Sequence, residues 1–167
     1  MIRLFIYLTV LTGIVYPLLI TGISYILAPM LSQGSLIESK GQVIGSSLIA
    51  QGFKDPKYFW PRPSFVNYNP LPSGGSNYGP TNILLKEEAR NRRNLLISTG
   101  SKIPNELLYA SGSGLDPHIS INSALFQINR IAKFRGITQE ALQKLIQDHK
   151  QFHYVNVLHL NLALDKL

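Results

Sequence analysis

Residues 4–31 read LFIYLTVLTGIVYPLLITGISYILAPML, a run without a single charged side chain. A helix crosses a hydrocarbon core of roughly 30 Å with about 20 apolar residues, so this run spans with residues left over for tilt or interfacial ends. After Arg3 the next charge along the chain is Glu38. A cleaved signal peptide has a shorter apolar region, roughly 7–15 residues, followed by a small-residue cleavage site. The flank Pro29-Met30-Leu31-Ser32-Gln33 makes a poor site of that kind. No polar stripe interrupts the run, which argues against a helix buried in a soluble core. The expected organisation is a transmembrane helix with its short flank over 1–31, a juxtamembrane connector over 32–44, and a globular soluble domain over 45–167.

Small and hydroxylated residues within the span bear on partners, because they let helices approach closely in lipid and bond across the contact. Thr9, Gly13, Pro17 and Gly22 are the candidate interface positions. Pro17 removes one backbone hydrogen bond and kinks a helix unless its neighbours compensate. Orientation is weakly marked: Arg3 and the α-amino group precede the span, whereas Glu38 and Lys40 cancel after it. The positive-inside rule then favours a cytoplasmic N-terminus and an external globular domain.

Sixteen Lys and Arg against nine Asp and Glu give a net charge of +7. The densest basic group, Arg90, Arg92 and Arg93, is interleaved with Glu87 and Glu88 and reads as a solvated helix face, not as a nucleic-acid stripe. The chain contains no cysteine, which excludes disulfides, thiolate catalysis and a lipid-modified N-terminal Cys.

Residues 61–82, PRPSFVNYNPLPSGGSNYGPTN, hold five of the ten prolines and form a long loop with turn chemistry throughout. Helical patterning follows over 83–97, with Leu84, Leu85, Ala89 and Leu96 as a rough apolar face. Over 119–135, Ile121, Ala124, Leu125, Ile128 and Ile131 recur at three and four, with Ser120 as N-cap and Gly136 as stop. A third helix starts behind Thr138, with Ile137 and Leu142 as a hydrophobic staple and Ala141, Leu142, Leu145 and Ile146 inward. The alternating tail Tyr154 to Leu160 reads as a strand, with Asn156, Asn161 and Asp165 as its polar positions. The fold class expected is one transmembrane helix plus a small α/β or α+β domain, helix-dominated with a small sheet.

Two segments carry candidate chemistry. Ser73-Gly74-Gly75-Ser76-Asn77 looks like a phosphate-cradling loop, since glycines bring backbone N–H groups close to an anion. It lacks the GxxxxGK[ST] pattern, so Ser73, Gly74 and Gly75 are only weak candidates for nucleotide contact, and a structural loop or contact surface is the simpler reading. In ASGSGLDPHIS, residues 110–120, Asp116 and His118 could serve as an acid–base pair beside a serine. There is no GxSxG elbow, and an Asp-Pro turn that caps backbone groups ahead of the next helix explains the segment better. His118, His149, His153 and His159 lack HExxH spacing, so no metal site is expected.

Taken together, four blocks resemble the C subunit of the Kdp-type potassium-transporting P-type ATPase: SGGSNYGPTN (73–82), ASGSGLDPHIS (110–120), QINRIAKFRG (127–136) and VNVLHLNLALD (155–165). The stretch Tyr58-Phe59-Trp60-Pro61-Arg62-Pro63-Ser64 is also similar to an aromatic pair and Arg-Pro-Ser stretch of that family. Tyr78 and Asn129 stand where Leu and Val are expected. The resemblance implies an accessory, non-catalytic subunit of a four-part inner-membrane pump that uses ATP, Mg²⁺ and K⁺. Its implied partners are a channel-like potassium-binding subunit, a P-type catalytic subunit that forms a phospho-aspartate, and a very small membrane peptide. The implied role is assembly and stabilisation, with the folded domain outside the cytoplasmic membrane; the alternatives are a nucleotide-binding modulator of ATP affinity or a membrane-anchored hydrolase. Ser73 to Asn77, together with Asp116 and His118, are then candidate partner-interface residues.

Overall fold

The computed structural model describes residues 1–39, 41–96 and 102–167. It divides into two compact units, Met1–Ser46 and Ser47–Leu167.

The first unit is dominated by a continuous apolar helix, Ile2–Leu27, long enough to cross a membrane. It comprises α1 (Ile2–Val10), a π-helical turn (Leu11–Val15) and α2 (Tyr16–Leu27). The widened turn ends two residues before Pro17, whose ring would otherwise crowd the carbonyl one turn back, so the helix passes the proline without breaking. The short helix α3 (Pro29–Ser32) follows. Strands β1 (Leu36–Ser39) and β2 (Gln42–Ser46) then pair antiparallel, with a register shift between Ile37 and Glu38. The stretch taken from sequence as a polar connector therefore contains most of a hairpin, fastened where Ser46 Oγ donates to the Gly34 carbonyl at 2.6 Å.

The second unit is a helix-dominated α+β fold. It contains α4 (Ile83–Leu96), β3 (His118–Ser120), α5 (Ile121–Arg135), α6 (Gln139–Asp148), β4 (Lys150–Gln151), β5 (Tyr154–Asn156) and α7 (Val157–Leu164). The sheet has the order β3-β5-β4, antiparallel throughout. Ser120 caps α5 by accepting from the Ser123 amide at 3.1 Å, and Gly136 ends it in the left-handed conformation, φ 67°. Thr138 caps α6 through the Ala141 amide. On α4, Ala89 and Leu96 are buried but Leu84 is exposed; Ile97, expected to belong to the same helix, lies outside the described residues. The core gathers Ile119, Ala124, Ile128, Ile131, Leu142, Leu145, Ile146, Val155, Leu160 and Leu164 around Phe59, and Ile137 packs against it.

The tail differs from the sequence expectation. The strand stops at Asn156, because its Oδ1 accepts from the Leu158 and His159 amides at 3.1 and 3.2 Å and starts a helix. Buried Val157, Leu160, Asn161 and Leu164 follow helical spacing, so the apparent alternation in 154–160 was three residues of strand joined to a capped helix.

Phe59 and Trp60 lie outside any strand, yet their backbone groups are paired. Asn161 Oδ1 accepts from the Phe59 amide at 2.8 Å and its Nδ2 donates to the Phe59 carbonyl at 3.0 Å. Gln127 does the same for Trp60, at 2.7 and 3.1 Å. Arg130 lies 3.9 Å from the Trp60 ring centroid and donates to the carbonyls of Pro56 and Tyr58. Burial lowers its pKa to about 10, against which the Asp55 carboxylate acts. Arg135 donates to the Lys57 and Leu164 carbonyls and pairs with Asp165, which also accepts from the Tyr58 hydroxyl. A loop with no ladder of its own is thus held down by side chains from α5 and α7.

Candidate functional site

The two segments singled out in the sequence, 61–82 and 110–120, are interlocked by backbone contacts. The Ser111 amide donates to the Pro63 carbonyl at 3.0 Å, and the Gly74 amide donates to the Ser113 carbonyl at 2.8 Å. Gly114 is buried with φ +70°, and a Cβ there would stand 2.7 Å from both the Gly74 carbonyl oxygen and Val66 Cγ2. At Gly75 a Cβ would come within 3.1 Å of the Gly112 carbonyl oxygen. Only glycine supplies both the left-handed backbone and the close approach at position 114.

The interlock is completed by charge. Arg62 Nη1 meets Asp116 Oδ2 at 2.8 Å, with both side chains about two-thirds covered. The other carboxylate oxygen accepts from the His118 amide at 3.0 Å, an Asx turn that leads into β3. The carbonyl of Arg62 accepts from the Tyr68 hydroxyl at 3.0 Å, and burial pushes that phenol up to about 12. His118 stacks edge-on against Tyr154 at 4.8 Å, its Nδ1 3.7 Å from Asp116. Behind it the Pro117 carbonyl accepts from the Val157 amide at 2.9 Å, which joins this surface to α7.

This geometry decides what the predicted residues are able to do. The Gly74 amide faces Ser113, so one of the N–H groups a phosphate cradle needs is already committed to the other loop. Ser76 Oγ accepts from Tyr78, Asn77 is left-handed at φ 54°, and Ser73 is exposed. Both oxygens of Asp116 are engaged in holding the segment, one by Arg62 and one by the backbone, which is the arrangement of a latch. The structure therefore brings Gly74, Gly75, Asp116 and His118 to one ordered surface. The span residues Thr9, Gly13, Pro17 and Gly22 belong to the other unit, where all four are exposed and, among the described residues, nothing lies within 4 Å of a Cβ built at Gly13 or Gly22. Among the described residues no group of three His, Cys, Asp or Glu is placed to hold a metal ion. His149 and His153 are not on one helical face, since α6 ends at Asp148 and Phe152 is left-handed.

Sequence reasoning placed Asn161 as a polar position of a strand and gave Gln127, Arg130 and Arg135 no individual role, yet these four side chains set the loop's position. The signal for the first two was a polar residue on an apolar helical face: Gln127 lies beside Ala124, Ile128 and Ile131, and Asn161 beside Leu160 and Leu164.

The family model described as the K⁺-transporting ATPase c chain, KdpC, matches residues 1–166. The chain belongs to the KdpC family. It is 45% identical over 175 residues to the potassium-transporting ATPase KdpC subunit of Leptospira interrogans serogroup Icterohaemorrhagiae serovar copenhageni, covering 98% of this chain and 90% of the relative. It is 47% identical to the KdpC subunit of Geotalea uraniireducens, with 99% and 95% covered, and 47% identical to that of Geobacter metallireducens, with 95% and 92% covered. The KdpC relatives therefore match both the apolar helix and the folded unit. With that helix, the chain is a membrane-associated member of a potassium-pump subunit family.

Proposed function

We propose that this chain is a non-catalytic accessory subunit of an ATP-driven potassium uptake complex, and that it assembles and stabilises the channel-like and P-type ATPase subunits. The observation that carries the reading is the interlock of 61–82 with 110–120, where the Gly74 amide bonds the Ser113 carbonyl, Arg62 pairs with Asp116, and Gly114 packs against the Gly74 carbonyl too closely for a side chain. Such a surface is ordered before it meets a partner, which lowers the entropy cost of docking. The KdpC names of the relatives supply the complex, and the resemblance of the sequence blocks supplies the partners: the channel-like subunit, the P-type subunit and the small membrane peptide. ATP, Mg²⁺ and K⁺ are then handled by those partners. In this reading Ile2–Leu27 spans the cytoplasmic membrane with its N-terminus inside, packs through Thr9, Gly13, Pro17 and Gly22 against a partner helix, and leaves 45–167 outside as a soluble domain.

Co-purification from membranes with mass identification of the associated chains tests the assembly claim; recovery of this chain alone would overturn it. Orientation is tested separately. The chain has no cysteine, so a single Lys133→Cys on the exposed face of α5 reports the side of the membrane. Labelling by an impermeant maleimide in intact cells is expected, and labelling only after permeabilisation would reverse the orientation.

A further inference from the structure

A cavity of about 410 Å³ opens between the aromatic loop and α4, on the second unit. Phe53, Trp60, Tyr68, Leu95, Leu96 and Leu107 make its walls apolar. Two cations border it, and they differ in availability. Arg92 is spent, because one terminal nitrogen pairs with Glu88 and the other donates to the Leu108 carbonyl, each at 2.8 Å. Lys54 is exposed and has no acidic or hydrogen-bonding partner among the described residues. Leu95 is 71% exposed at the same cavity, an uncovered leucine on a helix whose other face is packed.

We propose that this cavity binds a fatty carboxylate, with its chain along the Phe53, Trp60 and Leu107 walls and its carboxylate at Lys54. The volume lies in the range of ~300–1,000 Å³ typical of pockets for small organic ligands. The walls offer little for a polar body to bond, since the Tyr68 hydroxyl donates to Arg62 and the Gln127 amide is occupied by Trp60. A chain of methylenes suits such walls, each gaining ~0.8 kcal/mol on leaving water. A lysine bordering an apolar cavity, with no partner among the described residues, selects an anionic head over a neutral one by charge-assisted hydrogen bonding. One cavity takes one chain: a two-chain lipid would leave its second tail outside, losing the same ~0.8 kcal/mol per methylene. The proposal is independent of the assembly role.

The chain's single tryptophan, Trp60, lines the cavity and reports its occupancy. Full-length chain in phosphatidylcholine vesicles is titrated with a bromine-tagged undecanoate, whose heavy atom quenches indole fluorescence on contact. Saturable quenching is expected, at least about ten-fold tighter than by the matching bromine-tagged undecanol, the ratio a single charge-assisted bond supplies. Lys54→Glu removes the preference for the acid, and Leu95→Asp weakens it by a similar factor; both positions are exposed, so folding is retained. Unsaturated quenching, linear in probe and equal for acid and alcohol, overturns the proposal. So does unchanged affinity in both variants. Strong quenching by brominated phosphatidylglycerol built into the vesicles, with none from the free acid, assigns the cavity to a bilayer lipid and likewise overturns it.

Discussion

Gln127 on α5 and Asn161 on α7 perform the same task on consecutive residues, each closing a two-bond ring with the backbone of Trp60 and Phe59 respectively. Both amides are almost fully buried, and in effect they replace the strand neighbours that this segment lacks. Asn161→Leu would leave the Phe59 N–H and C=O without partners inside the core. An unsatisfied buried polar group costs about 1–3 kcal/mol, so a loss of ~2–4 kcal/mol is expected for the pair. Asn161→Asp keeps the acceptor for the Phe59 amide but loses the donor to its carbonyl, and should also destabilise by burying a charge. Urea unfolding of the detergent-solubilised chain reads both; a change below about 0.5 kcal/mol for the leucine variant would contradict the assignment.

Gly114 and Gly112 separate backbone strain from simple loss of a glycine. An alanine at 114 has to adopt φ +70° and meet the Gly74 carbonyl and Val66 at 2.7 Å, whereas an alanine at 112 meets nothing within 4 Å among the described residues. Gly114→Ala should cost at least ~2 kcal/mol and release segment 61–82 from segment 110–120. Gly112→Ala should stay within ~0.5 kcal/mol of the parent. The same pair tests function: co-purification with the pump subunits is expected to fail for the first variant and persist for the second.

What was readable in the sequence followed from local rules. The apolar run, the Ser120 and Thr138 caps and the Gly136 stop each depend on a few neighbouring residues, and each appears where periodicity puts it. The tail was misread because Tyr154 to Leu160 satisfies a period of two over a window shorter than two helical turns. Only the side chain of Asn156, turned onto the Leu158 and His159 amides, decides for helix. The candidate site was legible in its parts, since its glycines and Asp116 stood out, but not in its assembly. That Gly74 meets Ser113, or Arg62 meets Asp116, is a contact between positions dozens of residues apart, and no local rule reaches that far.

Asp116 distinguishes a latch from a catalyst. Asp116→Asn keeps an oxygen for the His118 amide but gives up the ion pair with Arg62, and should cost about 1 kcal/mol, with Asp116→Ala costing more because it loses both contacts. In the reconstituted complex, potassium-dependent ATPase activity is expected to survive the asparagine variant and to survive His118→Ala. Loss of a hydrolytic activity in both variants, without loss of folding, would restore the acid–base reading of this pair.

His159 makes stability depend on pH. Its pKa is held below the ordinary value of 6.5 first by burial and then by the proximity of His149 and His118, and its Nε2 is buried without a hydrogen-bond partner among the described residues. A group that protonates less readily when folded means that the unfolded chain takes up more protons as the pH falls through about 6.5. Stability then decreases on acidification from that point and levels off below the folded pKa. The unfolding midpoint should fall as the pH is lowered through about 6.5, and His159→Gln should flatten that part of the profile relative to the parent. A parallel profile for the variant would show that the dependence comes from other groups.

Gly13 sits in the π-helical turn with open space where a side chain would go, and the hydroxyls of Thr12 and Thr21 are satisfied by the Leu8 and Pro17 carbonyls of the same helix. The apolar helix therefore asks little of its own chain at this point, and a bulky residue is tolerated in isolation. A partner helix approaching closely over Gly13 would be pushed away by Gly13→Ile, because in lipid the association rests on packing, not on a hydrophobic drive. The variant should unfold like the parent in urea, since Gly13 belongs to the first unit and the cooperative core to the second. Its yield in complexes drawn from membranes should drop several-fold. If yield and unfolding are both unchanged, the helix is a plain anchor and the specificity of assembly lies with the folded unit alone.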